Sequence, residues 1–382
     1  MLEDPDYLGL RQRRLRGKEY VELIDEFVQA VMQRWPRAVL QFEDFSTDNA
    51  LALLDRYRNH HLMFNDDIQG TAATALAGLY GALRVCNRSP SELKDLVFVV
   101  CGAGSAGMGV TDFLCTAMTS FGISEEEARG RFFIVDADGL ITQNRPNLPS
   151  HVAKFARKEV DDEGMRLLDV VKKNKPRVLL GLTGVGGLFT SDVLEEFGRH
   201  HERPILFPMS NPTHKMECTA KEGQHACGGR AIFASGSPQA DVKMPDGTIV
   251  ASSQSNNMYV FPGLALGAKL VDAKMVSDGM LLAAAEAVPE MLSQKDLEEG
   301  RVYPSLDDIR EISKKVASRV MKKCDSESLA SIHPGSGLGS RLWAIRNLIH
   351  EGDETRLLKY IEMRMFQPKY EDIVYMPPGI ME

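Results

Sequence analysis

Val97-Phe98-Val99-Val100-Cys101-Gly102-Ala103-Gly104-Ser105-Ala106-Gly107 is the stretch on which the fold turns. The uninterrupted apolar run over 96–101, closed by glycine, predicts a central parallel strand, since such strands are buried on both faces. Each following glycine answers a steric demand. Gly102 permits a tight turn, Gly104 lets the backbone approach a pyrophosphate, and Gly107 lets helix and strand pack closely. The helix predicted over 105–120 then offers unpaired N–H groups and a positive dipole end to the phosphates, with Ser105 at its start. A strand over 132–135 ends at Asp136, whose carboxylate is placed to accept from the adenosine ribose hydroxyls. The long interval from Gly107 to Asp136 predicts an extended first helix. Asp136-Ala137-Asp138 puts acid where a 2′-phosphate would need a cation, which leans toward NAD. Lys154 and Arg157 downstream could supply that cation, so NAD and NADP both stay open.

Outward from this motif, strands and helices alternate. A helix over 163–173 and strands over 177–180 and 204–207 continue the pattern, which specifies a parallel sheet covered on both faces. Upstream, apolar residues at helical spacing predict a helix over 18–35, ended by Pro36, then a strand over 38–42 and a helix over 48–57. Residues 64–70 read as a loop, and 71–86 as an alanine-rich helix apolar nearly all round, hence buried. Beyond about residue 270 the pattern is mostly helical, clearest over 280–291 and 305–322.

The composition of the 382 residues, 43% hydrophobic and 26% charged, is that of an ordinary globular protein. A formal charge of -8 leaves no broad cationic surface for nucleic acid. No uninterrupted apolar run reaches the roughly 18 residues of a membrane span. The six cysteines form no C-x-x-C pair and fit neither a zinc site nor a secreted disulfide framework, so free thiols in a reducing compartment are expected.

Two adjacent acid pairs stand out. Glu43-Asp44 follows the apolar strand 38–42, and Asp66-Asp67 lies between Phe64 and Ile68. Acids in apolar surroundings need a cation or a hydrogen-bond partner. Three carboxylates with an oxyacid completing the shell would suit Mg²⁺ or Mn²⁺; solvated surface charge is the alternative. Ser210-Asn211-Pro212-Thr213 after strand 204–207, and Asn256-Asn257 before Phe261-Pro262-Gly263, place amides where an open α/β crevice binds ligands. An Asx turn at a strand exit would account for each equally simply.

Together these residues resemble the malic enzyme family. The resemblance is carried by Gln41-Phe42-Glu43-Asp44-Phe45, Phe64-Asn65-Asp66-Asp67-Ile68-Gln69-Gly70-Thr71-Ala72, the 102–107 loop, Gly184-Val185-Gly186, Ser210-Asn211-Pro212-Thr213, Glu217-Cys218-Thr219-Ala220, Phe233-Ala234-Ser235-Gly236-Ser237-Pro238 and Asn256-Asn257. It runs in order from about residue 3 to residue 330. It implies a Rossmann-like doubly wound parallel sheet domain, a remnant of an α/β catalytic domain and a helical C-terminal region. The expected division is 1–66 for the remnant, 67–255 for the NAD(P)-binding domain, 256–330 for a helical return and 331–382 for a C-terminal extension.

By resemblance, Glu43, Asp44 and Asp67 match the family's divalent-metal ligands, and Asp66 matches the acid that partners a catalytic lysine. Asn211 and Asn256 match substrate contacts, Asn211 lying also near the nicotinamide. Gly102 and Ser105 fall at dinucleotide contacts, with Gly104, Gly107 and Asp136 completing that site. The implied reaction is oxidative decarboxylation of (S)-malate to pyruvate and CO₂ by a homo-oligomer, dimer or tetramer, inside the cell, in cytoplasm or mitochondria. The family's base lysine, acid tyrosine and carboxylate-binding arginine match nothing in this chain; Lys18, Tyr7 and Tyr20 are of the right types at the wrong positions. Three expectations follow: an incomplete chain of a malic enzyme, a nucleotide- and metal-binding short form acting as an oligomer partner, or a chain that only decarboxylates oxaloacetate.

Overall fold

The computed structural model describes residues 2–331 and 339–368. The expected extension over 331–382 therefore lies partly outside the described residues. Strands β1 (Leu40–Phe42) and β2 (Met63–Asn65) form a two-stranded parallel sheet. The main sheet comprises β3 (Phe98–Cys101), β4 (Phe132–Asp136), β5 (Gly139–Leu140), β6 (Val178–Gly181), β7 (Ile205–Pro208), β8 (Ile232–Ser235) and the last strand, Ser253–Gln254. Between these last two, Val242–Lys243 (β9) and Ile249–Val250 (β10) pair as a hairpin, so Ser253–Gln254 is β11.

The main sheet runs in the order β11-β8-β7-β6-β3-β4-β5, parallel throughout except where β5 pairs antiparallel with β4. Phe98 of β3 pairs with Phe132 on one side and Val178 on the other. The chain thus leaves β3 for β4, returns past it and continues through β6 to β11. That reversal between β3 and β6 opens the crevice in which doubly wound sheets bind ligands, outside the carboxyl ends of the strands.

The strands are continuously apolar because both faces are buried. Phe98 and Val100 of β3 enter one core with α3 (Thr71–Val85), α4 (Ser105–Thr119) and the late helices Phe261–Leu270, Asp278–Glu290 and Ile309–Ser326. Val99 and Cys101 enter a second core, with helices Leu167–Asn174, Ser191–Arg199 and Ala220–Ala226. All six cysteines are free, as expected.

The N-terminal region is built differently. Helices α1 (Gly17–Arg34) and α2 (Thr47–Tyr57) share with β1 and β2 a small core of Val28, Phe42, Ala50, Leu53, Leu54, Tyr57, Met63 and Ile68. Asp25 on α1 ties the two helices by accepting from Arg56 at 2.7 and 2.6 Å and from the Tyr57 hydroxyl at 2.5 Å. Yet Val28 is the only fully buried residue of α1, while Leu23 and Phe27 stay 49% and 51% exposed.

Two sequence expectations differ from the structure. Residues 64–70 are not a plain loop: β2 leads into a π-helical turn, Asp66–Gly70, continuous with α3. Local side chains close that wide turn, since Asn65 Oδ1 accepts from Ile68 N–H at 3.1 Å and Gln69 Oε1 accepts from Asn65 N–H at 3.0 Å. The first helix of the dinucleotide motif is not extended either; α4 ends at Thr119, and a separate helix, Glu125–Arg129, capped by Ser124, fills the interval. Strands β8 and β11 are not among the predicted strands.

Candidate functional site

Because the main strands are parallel, the segments that follow β3, β4, β6, β7, β8 and β11 all emerge at one edge. A groove of about 860 Å³ runs along it, lined by the 102–106 loop, residues 135–139 and the start of the segment after β6. Gly102 has φ +118°, a region favoured by glycine, and a Cβ there would run into the Leu182 carbonyl. A Cβ on Gly107 would meet the Gly102 carbonyl oxygen, so this glycine sets the close approach of helix to strand exit. Gly104 is different: nothing lies within 4 Å of where its Cβ would stand. The fold does not require glycine there, and the open space is what a pyrophosphate at the α4 N-terminus would occupy.

Asp136 ends β4 at the far side of this groove. Arg145 donates to both of its oxygens, at 2.8 and 3.1 Å, and also pairs with Glu163. Arg145 is the missing partner in the sequence reading, and only the β4–β5 turn brings it near. Of the two cations considered for a 2′-phosphate, Lys154 pairs with Asp112 on α4, and Arg157 pairs with Glu159 and lies over the Phe133 ring. Neither lines the groove; Arg166 does.

The acid pairs meet across the small sheet. Parallel pairing of β1 with β2 sets Phe42 beside Asn65, so both pairs leave the same strand ends. Asp44, at φ +59°, turns its N–H onto Asp67 Oδ2 at 2.7 Å. Asp66 is buried, 2% exposed, and burial pushes its carboxyl up to about 6, with the Glu43 and Asp67 charges adding to the rise and the Asn257 amide opposing it. Burial also raises Asp67, against the pull of the Asp44 N–H. Asp66 Oδ1 has no hydrogen-bond partner and sits where a Cβ on Gly70 would fall.

Glu43, by contrast, accepts from Gln41 Nε2 at 2.9 Å and is exposed. Among the described residues no three His, Cys, Asp or Glu side chains are gathered as a metal-holding group. The three expected donors, Glu43, Asp44 and Asp67, nonetheless offer only carboxylate oxygens, which fits a hard divalent cation in kind.

Asn211 is exposed just beyond β7, its amide facing Gly236. Asn256 is engaged locally, its Oδ1 accepting from Met258 N–H at 2.9 Å as a helix cap. Its neighbour Asn257 is the one that reaches the acids: its Nδ2 donates to Asp66 Oδ2 at 2.9 Å, to the Asp66 carbonyl at 3.1 Å and to Thr71 Oγ1 at 3.1 Å. Sequence reading names the pair Asn256-Asn257 but gives the substrate contact to Asn256, and no spacing rule links a residue to another 191 positions away.

A doubly wound parallel sheet with a glycine-loop groove at its switch point defines a dinucleotide-binding α/β protein, here with an acid cluster alongside. The sequence family described as "Malic enzyme, NAD binding domain" matches residues 68–325, and "Malic enzyme, N-terminal domain" matches residues 1–58. The chain belongs to the malic enzyme family.

It is 45% identical to the mitochondrial NAD-dependent malic enzyme of Solanum tuberosum, over 98% of this chain and 60% of that protein. It is 42% identical to the NADP-dependent malic enzyme of Rattus norvegicus, over 87% of this chain and 58% of the relative. The chain thus spans about three-fifths of the length of these relatives. Its fold matches the crystal structures of the malic enzymes of Entamoeba histolytica (TM-score 0.67, 20% identity, 91% of this chain and 71% of that one) and Pyrococcus horikoshii Ot3 (0.63, 23%, 88% and 73%). Among the described residues no helix is long and apolar enough to cross a membrane.

Proposed function

We propose that this chain supplies the dinucleotide-binding and substrate-orienting part of an enzyme that converts (S)-malate to pyruvate and CO₂ with reduction of NAD⁺. The observation that carries this reading is the packing of the Asp66–Gly70 turn on α4, where Ile68 lies against Gly109. The acids and the phosphate-facing helix thereby share one support. Asp66 and Asp67 start the turn, and α4 starts at the glycine loop.

Within that reading the backbone N–H groups at Ser105 and the next residues hold the pyrophosphate, and Asp136, fixed by Arg145, accepts from the adenosine ribose. Asn211, at the exit of β7, orients the substrate carboxylate as a neutral donor, with Asn256 the second candidate. Glu43, Asp44 and Asp67 would hold Mg²⁺ or Mn²⁺, which when bound supplies Lewis acidity to the hydroxyl and carboxylate oxygens of a 2-hydroxy acid. Asp66, with one oxygen held by Asn257 and the other unpaired, is placed to pair with a cationic side chain beside the substrate. The overall change removes hydride from C2 and the proton from the C2 hydroxyl, breaks the C3–C4 bond and protonates C3.

NAD⁺ is the favoured cofactor, because Asp136 and Asp138 line the groove while Arg145, Lys154 and Arg157 are each engaged by acids, leaving Arg166 as the cation a 2′-phosphate would have to use. The mitochondrial plant relatives support a mitochondrial compartment. A nucleotide- and metal-binding role without turnover, as an oligomer partner, is the second reading, supported by Asp66 Oδ1, which meets no cationic partner among the described residues.

Calorimetric titration of the 382-residue chain tests this directly. One NAD⁺ per chain, with NADP⁺ weaker and Mn²⁺ binding reduced by Asp67→Asn, is the expected result. Absence of NAD⁺ binding would overturn the proposal. Malate-dependent NADH formation by the chain alone, at roughly 1–10³ per second, would instead reject the binding-only reading.

A further inference from the structure

Glu217 is fully buried and lies on none of the surfaces described so far. It follows the 209–216 segment and folds back beneath the ends of β6 and β7, its carboxyl filling the place a side chain on Gly181 would take. Oε1 accepts from Thr183 N–H at 3.0 Å, Thr183 Oγ1 at 2.9 Å and Ser210 Oγ at 2.5 Å. Oε2 accepts from Ser210 N–H at 3.4 Å.

The two hydroxyls then pass the restraint outward. Thr183 Oγ1 accepts from Val185 N–H at 3.0 Å, and Ser210 Oγ accepts from Gly184 N–H at 2.8 Å. Two main-chain bonds flank the clamp, Gly187 N–H to the Met216 carbonyl at 3.0 Å and Phe189 N–H to the Glu217 carbonyl at 2.9 Å. Leu182, Thr183 and Val185 are a wall of the dinucleotide groove, and Ser210 is the residue before Asn211. Past the ladder's last bond, from Met209 N–H to the Gly181 carbonyl, this carboxylate joins the wall and the Asn211 turn.

We propose that Glu217 is a positioning residue that couples the groove wall at 182–185 to the turn carrying Asn211, so that seating a dinucleotide orders the substrate amide. This rests on the reading of the groove as the dinucleotide site and of Asn211 as a substrate contact. The chemistry requires a carboxylate. Donors converge on it from both segments, and a glutamine would keep one acceptor oxygen while turning an NH₂ toward the Ser210 N–H. Alanine would leave buried donors on both segments unpaired. Coupling of this kind needs a connection that both sites bias, and the carboxylate is that connection.

The test is amide hydrogen exchange on the full chain, with and without NAD⁺, for wild type, Glu217→Gln, Glu217→Ala and Ser210→Ala. In wild type NAD⁺ is expected to slow exchange at 102–107, at 183–185 and at 209–213. In Glu217→Ala the protection at 102–107 persists while that at 209–213 is lost, Glu217→Gln is intermediate, and NAD⁺ affinity falls about tenfold, as for one buried group left unpaired. Adding Ser210→Ala to Glu217→Ala should cost less than Ser210→Ala does alone, because both act through one network and only the Gly184 N–H bond to Ser210 Oγ remains to be lost.

Equal NAD⁺ protection of 209–213 in wild type and in folded Glu217 variants would overturn the proposal, leaving a purely packing role in which only the melting temperature falls. Should Glu217→Ala not fold, Glu217→Gln carries the comparison. A wild-type chain that binds no NAD⁺ would sink the functional reading instead. The coupling would then stand or fall on whether Glu217→Gln speeds exchange at 183–185 and 209–213 together in the free chain.

Discussion

The sheet domain and the N-terminal region of this chain solve the burial problem in opposite ways. Around β3 every side chain of the strand is enclosed, odd and even positions entering separate cores. Around α1 one residue of a whole helix is enclosed, and Leu23, Phe27 and, just beyond the helix, Trp35 stay about half exposed. The two halves of the site inherit this difference. The glycine loop is held by backbone packing that leaves little freedom. The acid pairs hang from a two-stranded sheet, joined by one hydrogen bond between Asp44 and Asp67. We infer that the dinucleotide groove is complete as folded, whereas the acid pairs depend on a single bond across the small sheet.

Truncating matched aromatic residues would sharpen that contrast most. Phe207→Ala, in the fully buried centre of the sheet, should cost about 3–5 kcal/mol in urea unfolding. Phe27→Ala on the open face of α1 should stay within about 0.5 kcal/mol. Similar costs for the two would break the comparison.

A second test uses pH. Asp66 carries a raised carboxyl pKa, about 6 against an ordinary 3.8, so the folded chain binds that proton more tightly than the unfolded one. Its contribution is fully present below pH 3.8 and is lost as pH rises through about 6. The shift amounts to roughly 2–3 kcal/mol of stability drained over that window in chelator-treated protein. Asp66→Asn should flatten this part of the stability–pH curve; an unchanged slope would show that another group carries it.

A smaller effect is expected at the glycine loop. Gly107→Ala sets a methyl against the Gly102 carbonyl and should cost about 1–3 kcal/mol in denaturant midpoint. A neutral result would mean that helix and strand exit can separate there without loss.

What could be read in advance follows the same division. The 97–107 stretch is largely short-range: strand, turn and helix start are consecutive and Gly107 is constrained by Gly102 just before it, although Gly102 itself is crowded by Leu182 from the exit of β6. The acid residues were recognisable by type and by their apolar flanks, but their meeting depends on the β1–β2 pairing, which two three-residue strands barely signal. The Arg145 hold on Asp136 depends on the β4–β5 turn, and the Asn257 hold on Asp66 on a contact between distant segments. Glu217 was visible only as part of a motif. Its role rests on backbone and hydroxyl donors brought together by two strand exits, and no residue pattern encodes those.

The most direct test of the central claim is an NAD⁺ titration in chelator, free of divalent metal, of wild type and Gly104→Ala, with thermal melts in parallel. A groove complete as folded predicts saturable one-to-one binding without metal. It also predicts roughly tenfold weaker binding for Gly104→Ala at an unchanged melting temperature, since nothing in the fold occupies the space beside Gly104. Binding that appears only when Mn²⁺ is added, or that is indifferent to Gly104→Ala, would contradict the account.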